Sequence, residues 1–272
     1  MAKLLLHPAT AKLLDAYHKE PSHALCLIGE VGSGLRTLAM QLATELSGSE
    51  QLVTVIEPEK GLISIDRVRQ LYVETRSIQH TKRCIIIDDA DTMSHDAQNS
   101  LLKLLEEPVQ NIHFILTTHH STQLLQTILS RTQNIDVLPP SEADCKALLG
   151  KFELTPTEQV QAQFLASGRP AELTRLAEDK EYFAAQSVIV TDARSFLQAD
   201  DYTRLTIIKK YTDRVAALRF LSMCSRLLTY SLLKQRNYAV ADVMQPMEDV
   251  MKRIEANGHV RTHLLYLVTK LP

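Results

Sequence analysis

Five short apolar runs alternate with amphipathic segments in the first half of the chain, and this alternation constrains the fold more than any other feature. The runs are ALCLIG (24–29), LVTVI (52–56), CIIID (84–88), IHFILTT (112–118) and NIDVL (134–138). Runs that are apolar on both faces are typical of parallel strands covered by helices on each side. The pattern therefore predicts an α/β domain with a five-stranded parallel sheet.

Two of the segments between these runs carry clear helix signals. Ser64 and Ser94 are residues that favour the N-cap position, and each precedes a stretch with apolar residues at helical spacing. Pro108 is expected to end the second of these helices, because proline cannot continue a helical hydrogen-bond ladder.

The strand signals stop after Pro139 and Pro140. Residues 141–180 predict three short helices, separated by Pro156 and by the sequence Gly-Arg-Pro at 168–170. Residues from about 183 to 272 predict four or five longer helices, with core candidates Leu227, Leu228, Leu232 and Leu233. A chain of 272 residues can form more than one core. We predict an α/β domain over 1–139, a helical lid over 140–182 and a helical bundle over 183–272.

Composition excludes several classes of protein. With 45% hydrophobic and 23% charged residues, the chain is not globally disordered, and its net charge of −2 gives no overall attraction to nucleic acid. Residues 200–236 contain eight Lys or Arg against three Asp or Glu, a stretch that could face DNA phosphates, an acidic partner or solvent.

The four cysteines form no CxxC pair, so we predict no metal site. Scattered thiols, a short N-terminal apolar run and no long apolar stretch together predict a cytoplasmic protein outside the membrane.

A glycine-rich turn follows the first apolar run. Its residues Gly29, Gly32 and Gly34 could curl backbone N–H groups around an anion at the start of a helix. Phosphate loops follow the pattern G-x-x-x-x-G-K-[ST], in which Lys binds phosphate and the hydroxyl binds magnesium. Gly29 and Gly34 have this spacing, but Leu35 and Arg36 stand at the two side-chain positions, followed by Thr37. A turn that binds no ligand and a loop that binds nucleotide weakly both stay open.

Two acidic residues, Asp88 and Asp89, end the third apolar run. A carboxylate at the C-terminal end of a parallel strand can hold a magnesium-bound water, and the next can orient an attacking water. Asp88 fits the first role, whereas the short side chain of Asp89 is a poorer base. The alternative is a pair of acids that ends a strand and starts a turn.

The stretch from 84 to 138 resembles the clamp-loader family of AAA+ proteins. The segments AQNSLLKLLEEP, FILTT and TILSR follow the glycine loop and the acidic strand in the family's order. LHPAT near the N-terminus and ISIDRVRQL at 63–71 are similar to bacterial delta-prime subunits of that family. The resemblance covers roughly the first 180 residues, and it implies a phosphate-loop sheet, a helical lid and a C-terminal collar for oligomerisation.

The resemblance also implies roles for single residues. Arg131 matches the arginine of the family's Ser-Arg-Cys motif, which acts in trans as an arginine finger on the ATP site of a neighbouring subunit. Thr118 matches the sensor 1 position, at the end of the fourth strand. Glu172 stands where active paralogues carry the sensor 2 arginine, with Arg169 nearby but offset.

The resemblance implies a clamp-loader subunit of DNA polymerase III. The residues that differ from the family's motifs predict that it binds nucleotide weakly or does not hydrolyse it. Its expected partners are ATP-binding gamma/tau-type subunits, a delta-type subunit, the sliding clamp and, through the complex, primed DNA. ATP or ADP with magnesium are the only cofactor candidates. Two alternatives stay open, a self-sufficient AAA+ ATPase that uses Arg36 and Thr37, and an adaptor for DNA repair or nucleotide sensing with the same fold.

Overall fold

The computed structural model describes residues 4–75, 81–235 and 241–271. The chain divides into two compact units, Met1–Glu178 and Asp179–Pro272. The division into three domains at 139/140 and 182/183 stays a prediction.

The described part of the first unit contains one five-stranded parallel sheet. Its strands are β1 (Ala24–Ile28), β2 (Val53–Ile56), β3 (Arg83–Ile87), β4 (Ile112–Thr118) and β5 (Gln133–Asp136), in the order β2-β3-β4-β1-β5. The predicted fold class is therefore confirmed. The expectation that every strand is apolar on both faces is wrong for β5, which lies at an edge and exposes Gln133, Asn134 and Asp136.

Eight α-helices accompany the sheet within the residues described for this unit. They are α1 (Pro8–Lys19), α2 (Leu35–Ser47), α3 (Ile65–Thr75), α4 (His95–Glu106), α5 (Gln126–Leu129), α6 (Glu142–Leu149), α7 (Pro156–Ala166) and α8 (Pro170–Glu178). The Ser64 hydroxyl accepts the N–H of Arg67 at 3.4 Å, and the Ser94 hydroxyl accepts that of Ala97 at 3.2 Å. Both predicted N-caps are thus confirmed, and so are the three short helices predicted over 141–180.

The sheet separates two apolar cores. Alternate residues of β3 show the division, because Ile85 and Ile87 pack with α3 and α4, whereas Cys84 and Ile86 pack with α1 and α2. Successive side chains of a strand point to opposite faces, so a strand with a core on each side must be apolar at every position. This packing fixes the C-terminal ends of β1, β3 and β4, where the candidate site lies.

The described residues of the second unit form five α-helices. They are α9 (Lys180–Gln198), α10 (Asp201–Ile208), α11 (Arg214–Gln235), α12 (Ala241–Glu255) and α13 (Val260–Val268). Aromatic rings centre its core, since Phe220 packs edge-on against Phe196 with centroids 5.3 Å apart and stacks on Tyr211 at 4.2 Å.

The predicted leucine core of this unit is only partly correct. Leu228 is buried and Leu227 and Leu232 are half-buried, but Leu233 is 71% exposed. Consecutive leucines cannot all face one core on a helix of 3.6 residues per turn, which explains the error. Within the described ranges, no helix is both long and apolar enough to cross a membrane.

Candidate functional site

The glycine-rich turn joins β1 to α2 in a conformation that requires glycine. Gly32 and Gly34 have φ angles of +87° and +91°, a region that other residues rarely adopt. A Cβ atom at Gly29 would lie 3.0 Å from the Ser33 hydroxyl oxygen and 3.3 Å from the Val137 carbonyl oxygen. The turn therefore requires glycine at these positions, and its identification as a phosphate loop stays a prediction.

The side chains that follow the turn are unlike those of a nucleotide-binding loop. Leu35, at the lysine position, is buried in the core, and Thr37 is exposed. Arg36 forms an ion pair with Asp88, with 3.2 Å between Nη1 and Oδ2, and a second ion pair with Glu57. Both ends of its guanidinium group are thus held by carboxylates of neighbouring strand ends.

Strand register brings these two carboxylates together. Ile56 of β2 pairs with Ile87 of β3, so Glu57 and Asp88 follow paired residues at the same edge of the sheet. The Arg36 hydrogen bond lowers the pKa of Glu57, and the Glu57 hydrogen bond raises that of Arg36. Because Arg36 carries a permanent positive charge, it neutralises part of the negative charge at this edge.

Both carboxylate oxygens of Asp88 accept hydrogen bonds. Its side chain is only 10% exposed, and Oδ1 accepts the Thr117 hydroxyl proton at 2.7 Å while Oδ2 accepts from Arg36. The Thr117 hydroxyl in turn accepts the N–H of Asp89 at 2.9 Å. Thr117 was not among the residues predicted from the sequence. The Thr118 hydroxyl accepts the N–H of His120 at 3.2 Å, and the sensor 1 role of Thr118 stays a prediction.

Asp89 and His119 link the acidic strand to the glycine turn. His119 Nδ1 lies 2.7 Å from the Gly29 carbonyl oxygen, and its Nε2 lies 3.3 Å from Asp89 Oδ1. Burial raises the pKa of Asp89, and the negative charge of Asp88 raises it further. Asp89 has a φ of +49°, a conformation that Asp and Asn tolerate better than other residues with a side chain.

The start of α8 contacts the glycine turn directly. At the start of α8, the N–H groups of Ala171 and Glu172 donate to the Gly32 carbonyl oxygen at 3.1 and 3.2 Å. Arg169 Nη1 donates to the Val31 carbonyl oxygen at 3.1 Å. A Cβ atom on Gly32 would lie 3.2 Å from Cβ of Glu172, so this close approach needs glycine. The donors at this helix start therefore bind the protein's own backbone.

Magnesium nucleotide is the ligand that this fold implies, and the residues present do not fit it. A phosphate loop needs a lysine for phosphate and a hydroxyl for magnesium, but Leu35 and Arg36 occupy those positions. Both oxygens of Asp88 already accept hydrogen bonds, and the start of α8 contacts Gly32 directly. The Ser33 hydroxyl is the one side-chain polar atom that is buried without a hydrogen-bond partner among the described residues, and a water molecule would satisfy it.

Arg131 lies outside this cluster, just after the C-terminal end of α5. Its Nη1 donates to the Thr127 carbonyl oxygen at 3.1 Å, and its Nη2 lies 2.8 Å from Glu106 Oε1. The side chain is 37% exposed, so its guanidinium is at the surface. Within the part of the chain that the structure describes, no hydrogen bond or ion pair joins Arg131 to the glycine turn or to the acidic strand.

Comparisons with known proteins find similarity to subunits of DNA polymerase III. A family model described as DNA polymerase III, delta subunit, matches residues 8–141. The delta-prime subunit of DNA polymerase III from Yersinia pestis is 28% identical over 187 residues, which is 65% of this chain and 55% of the relative. The Bacillus subtilis delta-prime subunit is 26% identical over 211 residues, or 68% of this chain and 63% of the relative. The chain thus spans little more than half the length of these relatives.

Solved structures agree at the level of the fold. A gamma subunit-related protein of DNA polymerase III from Thermotoga maritima superposes with a TM-score of 0.65 at 17% identity, over 96% of this chain and 97% of that chain. A RuvB variant from the same organism gives a TM-score of 0.51 at 15% identity, over 95% and 85% of the two chains. The chain is therefore similar to clamp-loader subunits of the delta-prime type, and it shares the fold of the gamma subunit-related protein.

Proposed function

We propose that this chain is a delta-prime-type subunit of a clamp loader, which helps to place a sliding clamp on primed DNA during replication in the cytoplasm. The relatives named as delta-prime subunits support this role. The proposed partners are gamma/tau-type ATP-binding subunits, a delta-type subunit, the clamp and, through the complex, DNA. The proposal also has two mechanistic parts, one for the glycine turn and one for Arg131.

The first part is that the chain does not hydrolyse ATP at its own turn. The observation that supports it is the bridge from Arg36 to Asp88 and Glu57. A magnesium ion held by Asp88 would have to share this carboxylate with the permanent positive charge of Arg36, and two cations at one carboxylate repel each other. A triphosphate would also have to displace the backbone of α8 from Gly32.

The second part is that Arg131 acts on a neighbouring ATP site. An arginine finger must be at the surface, permanently charged and held by few contacts. Arg131 is partly exposed and is held by one carbonyl oxygen, by the hydroxyl of Ser130 at 3.5 Å and by one exposed carboxylate. Its charge can therefore be presented to a phosphate of another subunit after the ion pair with Glu106 opens.

The test is to mix this chain with the ATP-binding loader subunit of the same organism and to measure steady-state ATP hydrolysis. We expect Arg131→Ala to lower the rate by about 10³-fold or more at the shared site, in the range seen for arginine fingers. Arg69→Ala, an exposed arginine of α3, is the matched control and should leave the rate unchanged. Equal rates for wild type and Arg131→Ala would refute the trans role.

A second measurement separates this function from a self-sufficient ATPase. The purified chain alone is expected to show no ATP turnover. Clear hydrolysis that disappears in Asp88→Asn would contradict the first part and favour the rival enzyme. Copurification with polymerase subunits from its own cytoplasm is expected for a loader component, and its absence would favour a separate adaptor.

A further inference from the structure

A large groove lies on the second unit, between α10 and α13. It encloses about 830 Å³ and is bounded by α10, the α10–α11 connection, the start of α11, the α12–α13 turn and α13. We call it the α10–α13 groove. Cavities of several hundred Å³ are large enough for a drug-sized ligand or for a few side chains of a partner protein.

The floor of the α10–α13 groove is apolar. Ile208 and Leu264 are buried beneath it, and Leu265 lines it with 40% of its surface exposed. Tyr202, on α10, is 79% exposed and lines the same groove. Large apolar side chains that stay exposed beside a concave surface are typical of interaction sites.

The charges that line the groove are all positive. Lys209, Arg214 and Arg261 line it, and no Asp or Glu does. None of the three forms an ion pair with a described carboxylate, and Arg214 instead donates a hydrogen bond to the amide oxygen of Asn257 across the groove. These cations have no compensating charge within the groove.

The buried acid of this unit, Asp192, does not neutralise the positive charge of the groove. Asp192, on α9, is bound by Lys210 at 2.7 Å and by the Tyr211 hydroxyl at 2.9 Å, so its charge is already compensated. The N-terminus of α13, where His259 is the N-cap, adds partial positive charge to the groove, because the N-terminus of a helix carries such charge.

We propose that the α10–α13 groove binds an acidic segment of a partner protein that also carries apolar side chains. The apolar side chains would cover Leu265 and Tyr202, and the carboxylates would pair with Lys209, Arg214 and Arg261. This combination is known from amphipathic helices that bind in apolar grooves and from acidic motifs bound by arginine clusters. The inference concerns a surface of the second unit, and it does not depend on the proposed roles of the glycine turn and Arg131, which belong to the first unit.

Nucleic acid fits the groove less well than such a segment. Phosphate contacts use cations and backbone N–H groups but gain nothing from an aliphatic floor. Single-stranded nucleic acid relies on a series of aromatic stacking platforms, whereas the groove offers Tyr202 as the one exposed aromatic residue among its described lining residues, beside the aliphatic Leu265. An oligonucleotide is therefore the rival probe in the test.

The chain contains no Trp, so Tyr202→Trp introduces a single tryptophan, whose emission reports on the groove. The full chain is titrated with a synthetic amphipathic peptide that has glutamates on one face and leucines on the other. The same peptide with glutamine for glutamate, the same peptide with serine for leucine, and an oligothymidylate are titrated in parallel. We expect the tryptophan emission to shift with the glutamate–leucine peptide, and the affinity to fall as salt is added.

Charge reversal assigns the binding to the groove. In the Tyr202→Trp background, Lys209→Glu with Arg261→Glu should weaken the peptide affinity about tenfold, as expected for two exposed ion pairs that become repulsive. Lys252→Glu, an exposed lysine of α12 that does not line the groove, should leave the affinity unchanged. Circular dichroism checks that each variant is folded.

Four results would overturn the proposal. They are no emission change with any peptide, equal affinity for the glutamine peptide, tighter binding of the oligothymidylate, and an unaltered affinity after charge reversal. An emission shift that depends on the concentration of the chain alone would also overturn it, since the occupant would then be a second copy.

Discussion

Removal of the Arg36 guanidinium tests the central feature of the glycine turn. In Arg36→Ala, Asp88 keeps the Thr117 hydroxyl as its partner but loses the cation on its other oxygen. Glu57 loses its ion pair as well, but it is half exposed and can be hydrated. The expected loss of stability therefore comes mainly from Asp88, whose side chain is only 10% exposed.

The magnitude follows from what Asp88 loses. A buried acceptor without its partner costs about 1–3 kcal/mol, and an exposed ion pair such as that to Glu57 adds about 0.2–1 kcal/mol. Arg36 is itself 53% exposed, so water can partly replace it and the lower half of the range applies. We expect a loss of about 1–2 kcal/mol, which corresponds to a fall in melting temperature of about 2–8 °C for a unit of this size.

Thermal unfolding at neutral pH, followed by far-UV circular dichroism, measures this loss. Asp88→Asn removes the charge that Arg36 compensates, so a double-mutant cycle over the two positions isolates their interaction. In the Asp88→Asn background, Arg36→Ala should cost much less than in the wild type. Glu57→Gln in the same cycle provides the control for the exposed arm of the bridge.

An interaction energy between Arg36 and Asp88 within about 0.3–0.5 kcal/mol of zero would refute the reasoning, because that is the value found for independent sites. The same result would remove the main support for a turn that is closed to magnesium. A loss of stability that Glu57→Gln reproduces in full would assign the effect to the exposed arm instead.

Two further predictions concern titratable groups of the first unit and the buried thiols. Because burial and Asp88 raise the pKa of Asp89, folding disfavours its ionised form, and Asp89→Asn should raise the melting temperature at neutral pH. This gain should shrink as the pH falls through the raised pKa, where wild-type Asp89 becomes neutral too, and a gain that grows in acid would contradict the assignment. Burial raises the pKa of the Cys26 and Cys84 thiols to about 12, and it raises those of Cys145 and Cys224 as well. All four cysteines should therefore resist a disulfide reagent at pH 8 in the native protein and react in denaturant, and rapid labelling of the native chain would show that a core opens.

The sheet could be predicted from the sequence because its signals are local. Each strand that has a core on both sides needs an uninterrupted apolar run, and each of the two helices predicted from a serine begins at that serine. The edge strand β5 and the exposed Leu233 were the errors, since both depend on which face a neighbouring element covers. That information lies in the packing of elements distant in sequence.

The contacts of the candidate site could not be predicted in the same way. In the sequence, Arg36 stands where a phosphate loop has its magnesium-binding hydroxyl. Its ion pairs with Glu57 and Asp88 follow only from the order and register of β2 and β3. Strand register also decides which of Thr117 and Thr118 lies beside Asp88. Ile87 pairs with Leu116, so the residue beside Asp88 is Thr117. A shift of one residue in that register would have exchanged the two threonines, because alternate residues face opposite sides.

The ion pair between Arg131 and Glu106 leads to a last prediction, which rests on the proposed trans role. In the free chain, Nη2 of Arg131 lies 2.8 Å from Glu106, and both side chains are partly exposed, at 37% and 47%. If Arg131 has to leave Glu106 to reach a neighbouring phosphate, the pair favours the inactive position by about 0.2–1 kcal/mol. Glu106→Gln should then raise the stimulation of the partner ATPase about 1.4- to 5-fold at subsaturating concentrations of this chain.

The direction of this effect separates two roles for Glu106. A carboxylate that only holds the arginine back gives a gain on removal, whereas one that orients Arg131 for its neighbour gives a loss. Arg131→Ala combined with Glu106→Gln is the control, because the gain requires the arginine and must vanish in the double variant. A gain that persists without Arg131 would assign the change to the surface charge of α4. A loss in Glu106→Gln alone would mean that the surface position seen in the free chain is already the working position of the finger.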